Sequence, residues 1–125
     1  FHVIKYGKFR LTADRINTFY EENKQFLANA LTENKDKTNV VITHHVPTYQ
    51  HYPPQYKGSV LNEAFAVELT DFIEEYKPNY WIYGHHHQNT PEFEIGSTKM
   101  LTNQLGYVQM GEHLGFKFNQ LIDLK

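Results

Sequence analysis

The chain has 125 residues, of which 40% are hydrophobic and 21% charged, with a formal net charge of −2 and no cysteine. This fits one folded domain and leaves no broad cationic surface for a nucleic-acid backbone or an anionic membrane. No apolar run exceeds four residues, against the roughly 20 a spanning helix needs, and thiolate chemistry is excluded, so any metal site must use imidazole, carboxylate or amide donors.

Phe1–Tyr6 and Phe9–Leu11 are short β-prone runs around Gly7-Lys8, a hairpin signal. Ile16, Phe19, Tyr20, Phe26, Leu27, Ala30 and Leu31 form a helical stripe. Thr18 and Glu21 make a capping box, which predicts a helix over 18–33. Polar residues 34–39 end it, and Val40-Val41-Ile42-Thr43 reads as a short buried strand from its β-branched content. Residues 44–61 hold three prolines and no sustained period, a loop. Phe65, Leu69, Phe72, Ile73 and Tyr76 predict a core-facing helix over 62–76, stopped by Lys77-Pro78-Asn79. Tyr80–Tyr83 is a second apolar strand closed by Gly84. Phe93–Ile95 and Lys99–Thr102 flank Gly96-Ser97 as a hairpin, and a last strand is expected at Leu121–Leu124.

Eight histidines are the unusual count, and five form two clusters, His44-His45 and His85-His86-His87. A strand, crossover helix, strand unit places both clusters at one carboxyl edge of a parallel pair, where ligands of open α/β sheets bind. If Gly84 turns the chain and residues 85–87 stay extended, alternation points His85 and His87 toward His44 and turns His86 away. Three neutral imidazoles without a neighbouring Lys or Arg suit a divalent ion such as Zn, Mn or Fe. Tyr49, His51, Tyr52 and Tyr56 follow the first cluster and either wall a substrate pocket or pack among themselves. His2, His51 and His113 lack a partner motif and read as surface or core-edge residues. Turn chemistry accounts for Asn103 and Gln104.

Val40–Pro47, with Thr43-His44-His45, and Gly84-His85-His86-His87 together resemble the calcineurin-like metallophosphoesterases. The resemblance spans roughly residues 38–105. It implies two divalent metals (Mn, Fe or Zn), about 3.5–4 Å apart, activating a water for in-line attack on a phosphate ester. It implies His44, His85 and His87 as metal ligands, His45 as the catalytic residue that contacts phosphate or protonates the leaving oxygen, and His86 as a variable position. That family's earlier Asp-x-His, Gly-Asp-x-x-Asp and Gly-Asn-His-Asp/Glu motifs are absent from these residues.

Phe1 opens inside a β-prone run without Met or a signal-peptide pattern. The chain therefore reads as residues 1–125 of a single domain, the C-terminal portion of a metallophosphoesterase. The expected fold is α/β, a mixed sheet with a crossover helix, half of a four-layer sandwich. The implied function is metal-dependent hydrolysis of phosphate esters by the intact protein, with the 125-residue chain itself inactive, self-associating and cytoplasmic. A non-catalytic His-rich metal-binding module and a structural or oligomerisation domain with vestigial motifs are the alternatives. Substrate identity is open among phosphomonoesters, phosphodiesters, nucleotides and phosphoproteins.

Overall fold

The computed structural model describes residues 4–59 and 62–124, which divide into two compact units meeting between Asn34 and Lys35. In the first unit, β1 (Lys5–Tyr6) and β2 (Phe9–Arg10) pair antiparallel across Gly7, whose φ of 61° suits the tight turn. The expected strand residues Phe1–Val3 lie outside the described residues. Helix α1 runs over Ala13–Glu33, starting five residues before the predicted position. Thr12 is the cap, its hydroxyl accepting from the Arg15 N–H at 3.2 Å, whereas Thr18 donates back to the Asp14 carbonyl inside the helix. The capping-box reading of Thr18 thus fails because an earlier hydroxyl satisfies the first turn. Tyr6 meets Phe19 edge-on at 5.3 Å, with the Arg15 guanidinium over both rings.

The second unit carries a four-stranded mixed sheet in the order β3-β4-β6-β5. Strands β3 (Val40–Ile42), β4 (Tyr80–Ile82) and β6 (Thr98–Leu101) run parallel, and β5 (Phe93–Ile95) pairs antiparallel with β6 through the turn at Gly96. The register sets Val41 beside Trp81 and Trp81 beside Met100. Trp81, Met100 and Ile73 are fully buried and form the centre of the core. Strand β3 is an edge strand and buries only Val41, so the expectation of a wholly buried strand does not hold: Ile42 is 73% exposed.

The predicted helix over 62–76 shrinks to α2, Thr70–Tyr76, which sets Phe72 edge-on against Trp81. Residues 65–69 are drawn into extended pairing with the loop after β3. Val46 bridges Ala66, Val67 N–H donates to the Val46 carbonyl, and Leu69 N–H donates to the Pro47 carbonyl. Glu68 completes this by accepting from the Tyr49 and Thr70 N–H groups and from the Thr70 hydroxyl. Leu69, Phe72 and Ile73 are core as expected, but Phe65 turns toward the histidines. No strand forms at 121–124. That segment is irregular and is anchored by the Asp123 carbonyl, which accepts from the Tyr80 hydroxyl at 2.9 Å.

Candidate metal centre

The parallel ladder of β3 and β4 continues past both strands and thereby builds the site. Thr43 N–H donates to the Ile82 carbonyl at 3.0 Å, and Gly84 N–H donates to the His44 carbonyl at 3.3 Å, so the two histidine clusters leave the sheet side by side. Thr43 also uses its side chain: its hydroxyl accepts from the Trp81 indole N–H at 3.0 Å and donates to the His45 carbonyl at 2.9 Å. The buried core thus reaches the first histidine pair through one hydroxyl.

His44 Nε2 and His85 Nδ1 lie 3.1 Å apart. Two nitrogens on one tetrahedral ion, each about 2.0–2.1 Å from it, are separated by about 3.3 Å. His45 joins them: one ligand nitrogen from each of His44, His45 and His85 falls within 4.8 Å of the others, and the three rings sit 5.0–5.1 Å apart, centre to centre. Partial desolvation by the surrounding chain, and then the neighbouring His44, lowers the His45 pKa. Burial, and then His45, His44 and His87, lowers that of His85. Neutral imidazoles are the ligating form, so this donor set fits a divalent ion.

His87 stands in a different setting. Its Nδ1 is 3.0 Å from Glu112 Oε2, and it belongs to no cluster of three donors among the described residues. Residues 85–87 are not extended as expected. His85 (φ 79°) and His87 (φ 55°) are both left-handed, whereas Gly84 is not, and a Cβ at Gly84 would meet only ordinary contacts. The sharp turn after β4 is therefore made by histidines.

His86 is turned inward, 7% exposed, between the rings of Tyr52 and Tyr83. Its Nδ1 accepts from the Gln88 N–H and from the Gln104 amide, and burial with two flanking histidines lowers its pKa to about 4. Gln104, assigned to turn chemistry from the sequence, organises the whole loop. Its Oε1 accepts from His87 N–H at 2.9 Å. The two hydrogens of its Nε2 are shared among the Gln88 carbonyl, His86 Nδ1 and the Thr102 hydroxyl. The orientation of the amide follows from partners that can only donate or only accept. Asn89 locks the Gln104 backbone through a pair of hydrogen bonds. Asn103 does not act through turn chemistry either: its side chain pairs with the backbone N–H and carbonyl of Lys117, 14 residues on.

A cavity of about 270 Å³ adjoins the cluster, lined by Tyr52, Tyr56, Ser59, Asn62, Phe65 and His85–His87. Phe65 lies against the His85 ring, with centroids 4.6 Å apart. Of the loop aromatics, Tyr52 and Tyr56 therefore wall a pocket, whereas Tyr49 hydrogen-bonds to the Ala66 carbonyl and His51 packs on Phe93. His2 lies outside the described residues. Among the described residues no helix is long and apolar enough to cross a membrane.

No curated protein and no solved structure matches the chain. The family model for calcineurin-like phosphoesterase matches residues 3–89, a span that contains both histidine clusters and the strands that deliver them. With more than half of its length matched, the chain belongs to the calcineurin-like phosphoesterase family.

Proposed function

We propose that this chain carries the C-terminal part of the active site of a metal-dependent phosphoesterase, with its sheet as one layer of a two-sheet sandwich. His44, His85 and His87 act as metal ligands and His45 as the group that contacts the phosphate or protonates the leaving oxygen. The observation that carries this reading is the convergence of His44 and His85 from two parallel strands, with ligand nitrogens 3.1 Å apart. The divalent ions, when bound, supply the positive charge that phosphate oxygens require and lower the pKa of a water. This chain's own residues lower the His85 pKa, which favours its ligating form, cover its ring with Phe65, and offer an aromatic-walled cavity for the organic part of the ester. Further carboxylate ligands come from a preceding half bearing the Asp-x-His, Gly-Asp-x-x-Asp and Gly-Asn-His motifs.

The test is Mn- or Zn-dependent release of p-nitrophenol from an aryl phosphate ester, measured for this chain alone and joined to such a half. Activity is expected only in the joined protein, abolished by His85→Ala or His87→Ala. Full activity of the 125 residues unaided, or of the joined His87→Ala protein, would refute the ligand assignment.

One observation favours a second reading, a metal-binding module that needs no other segment: His45 completes a three-imidazole set with His44 and His85. Zn titration separates the two. If His45 is a ligand, His45→Ala weakens binding as much as His44→Ala; if it serves the phosphate, affinity is retained and only turnover falls.

A further inference from the structure

Glu112 touches the site from beyond the residues that match the family model. It belongs to a short 3-10 turn, Glu112–Gly115, and its Oε2 accepts from both the Tyr107 N–H and His87 Nδ1. The pair is half-buried. The Tyr107 ring stands edge-on to His87 at 4.5 Å. A Cβ added at Gly106 would fall 2.5 Å from the Glu112 Cβ, 2.8 Å from its Oε2 and 3.2 Å from the His87 Cβ. Gly106 also has a φ of 63°, so space and backbone both require glycine there.

An ionised carboxylate only accepts hydrogen bonds, so its partner nitrogen carries the proton. With the proton of neutral His87 on Nδ1, the lone pair is left on Nε2. An outer carboxylate of this kind fixes both the tautomer and the rotation of a ligating imidazole and raises its basicity. We propose that Glu112 is a positioning residue that holds His87 as the Nδ1–H tautomer and presents Nε2 as a metal donor, with Gly106 as the residue whose missing side chain makes room for the pair. The proposal rests on the reading of His87 as a ligand. The plain alternative is a surface ion pair between Glu112 and a doubly protonated His87, which would not ligate and would vanish once the imidazole is neutral.

Two measurements on the metal-free chain and on the chain titrated with Zn²⁺ alone decide the matter. Nitrogen-15 NMR, at a pH well above the imidazole range, is expected to find His87 protonated at Nδ1. Glu112→Ala should shift it toward the Nε2–H form that free imidazoles favour. Glu112→Gln, whose amide oxygen still accepts, should stay close to the wild-type tautomer. Calorimetry should give a Zn²⁺ affinity reduced about 10- to 100-fold in Glu112→Ala and less in Glu112→Gln. Gly106→Ala, which displaces the carboxylate without removing it, should behave as Glu112→Ala does and serves if that variant fails to fold. An Nε2–H tautomer in the wild-type chain, or one unchanged in both Glu112→Ala and Gly106→Ala, would overturn the proposal. If His87→Ala weakens Zn²⁺ binding and Glu112→Ala does not, the positioning role fails alone. If His87→Ala leaves affinity unchanged, the ligand reading fails and takes the proposal with it.

Discussion

The loops that follow β3 and β4 deliver imidazoles to the same edge but are held by opposite means. Residues 45–48 are anchored mainly through backbone, by the Val46–Ala66 bridge and by Leu69 donating to Pro47, and His44 and His45 stay exposed. Residues 85–88 lack such pairing and hang from the side chains of Gln104, 16–18 positions away, and Glu112, 25 away, with Asn89 bracing the Gln104 backbone. A backbone-held loop tolerates substitution at most positions, because every residue has the same amide. A side-chain-held loop concentrates its stability in two or three residues.

The largest effect that follows is that of Gln104→Leu. It leaves His87 N–H, the Gln88 carbonyl and the Thr102 hydroxyl without their buried partner, whereas His86 Nδ1 keeps the Gln88 N–H. At about 1–3 kcal/mol per unsatisfied group the loss is at least about 3 kcal/mol, a fall of about 10 °C or more in melting temperature. Thermal unfolding by circular dichroism measures it. A shift below about 2 °C would mean that the loop is held elsewhere, and the contrast between the two loops would collapse.

Acid tests the same clamp more gently. His86 takes up a proton near the ordinary imidazole value of 6.5 when unfolded but only at about 4 when folded. Between those values the unfolded chain binds more protons, so stability falls as pH drops from about 6.5 to about 4, is level below, and is fully present above. Allowing for solvent screening, the loss is on the order of 1–2 kcal/mol. Urea unfolding at several pH values should resolve it, and His86→Gln should flatten the profile in that window. An unchanged slope in His86→Gln would reassign the acid sensitivity to other groups.

On the backbone-held side, Thr43→Val removes the hydroxyl that joins Trp81 to the His45 carbonyl. The ladder bonds through Thr43 N–H and the His44 carbonyl persist, and one buried group, the Trp81 indole N–H, is left without its acceptor, so the expected cost is about 1–3 kcal/mol. Denaturant titration checks this. A loss matching that of Gln104→Leu would show that the first loop also depends on a single side chain.

The contrast also explains which parts were legible in the sequence. Val40–Ile42, Tyr80–Ile82 and the Gly96-Ser97 hairpin announce themselves by β-branched, aromatic and turn residues, and their parallel order alone brings His44 beside His85. Phe65 and Leu69 have helical spacing, yet Val46 and Pro47 compete successfully for their backbone, a long-range pairing that no local pattern encodes. Gln104 and Glu112 were illegible for the same reason. A lone amide 17 residues from His87 and a lone carboxylate 25 residues from it look like any surface residue until the fold closes. One signal was present: Gly106 and Gly111 bracket the turn that places Glu112, and glycines in left-handed conformations often mark a close approach.

Left-handed φ angles at His85 and His87 have an outcome that can be read in a population of variants. A side chain with a Cβ gives up about 1 kcal/mol at such a position, a cost that glycine avoids and asparagine softens. Under selection for folding alone, a library randomised at these two codons would drift to glycine and asparagine. On the ligand roles proposed above, selection for metal-dependent turnover would restore histidine at both, against the preference of the backbone. The difference between the two enriched pools would measure, codon by codon, how much stability this loop gives up for chemistry.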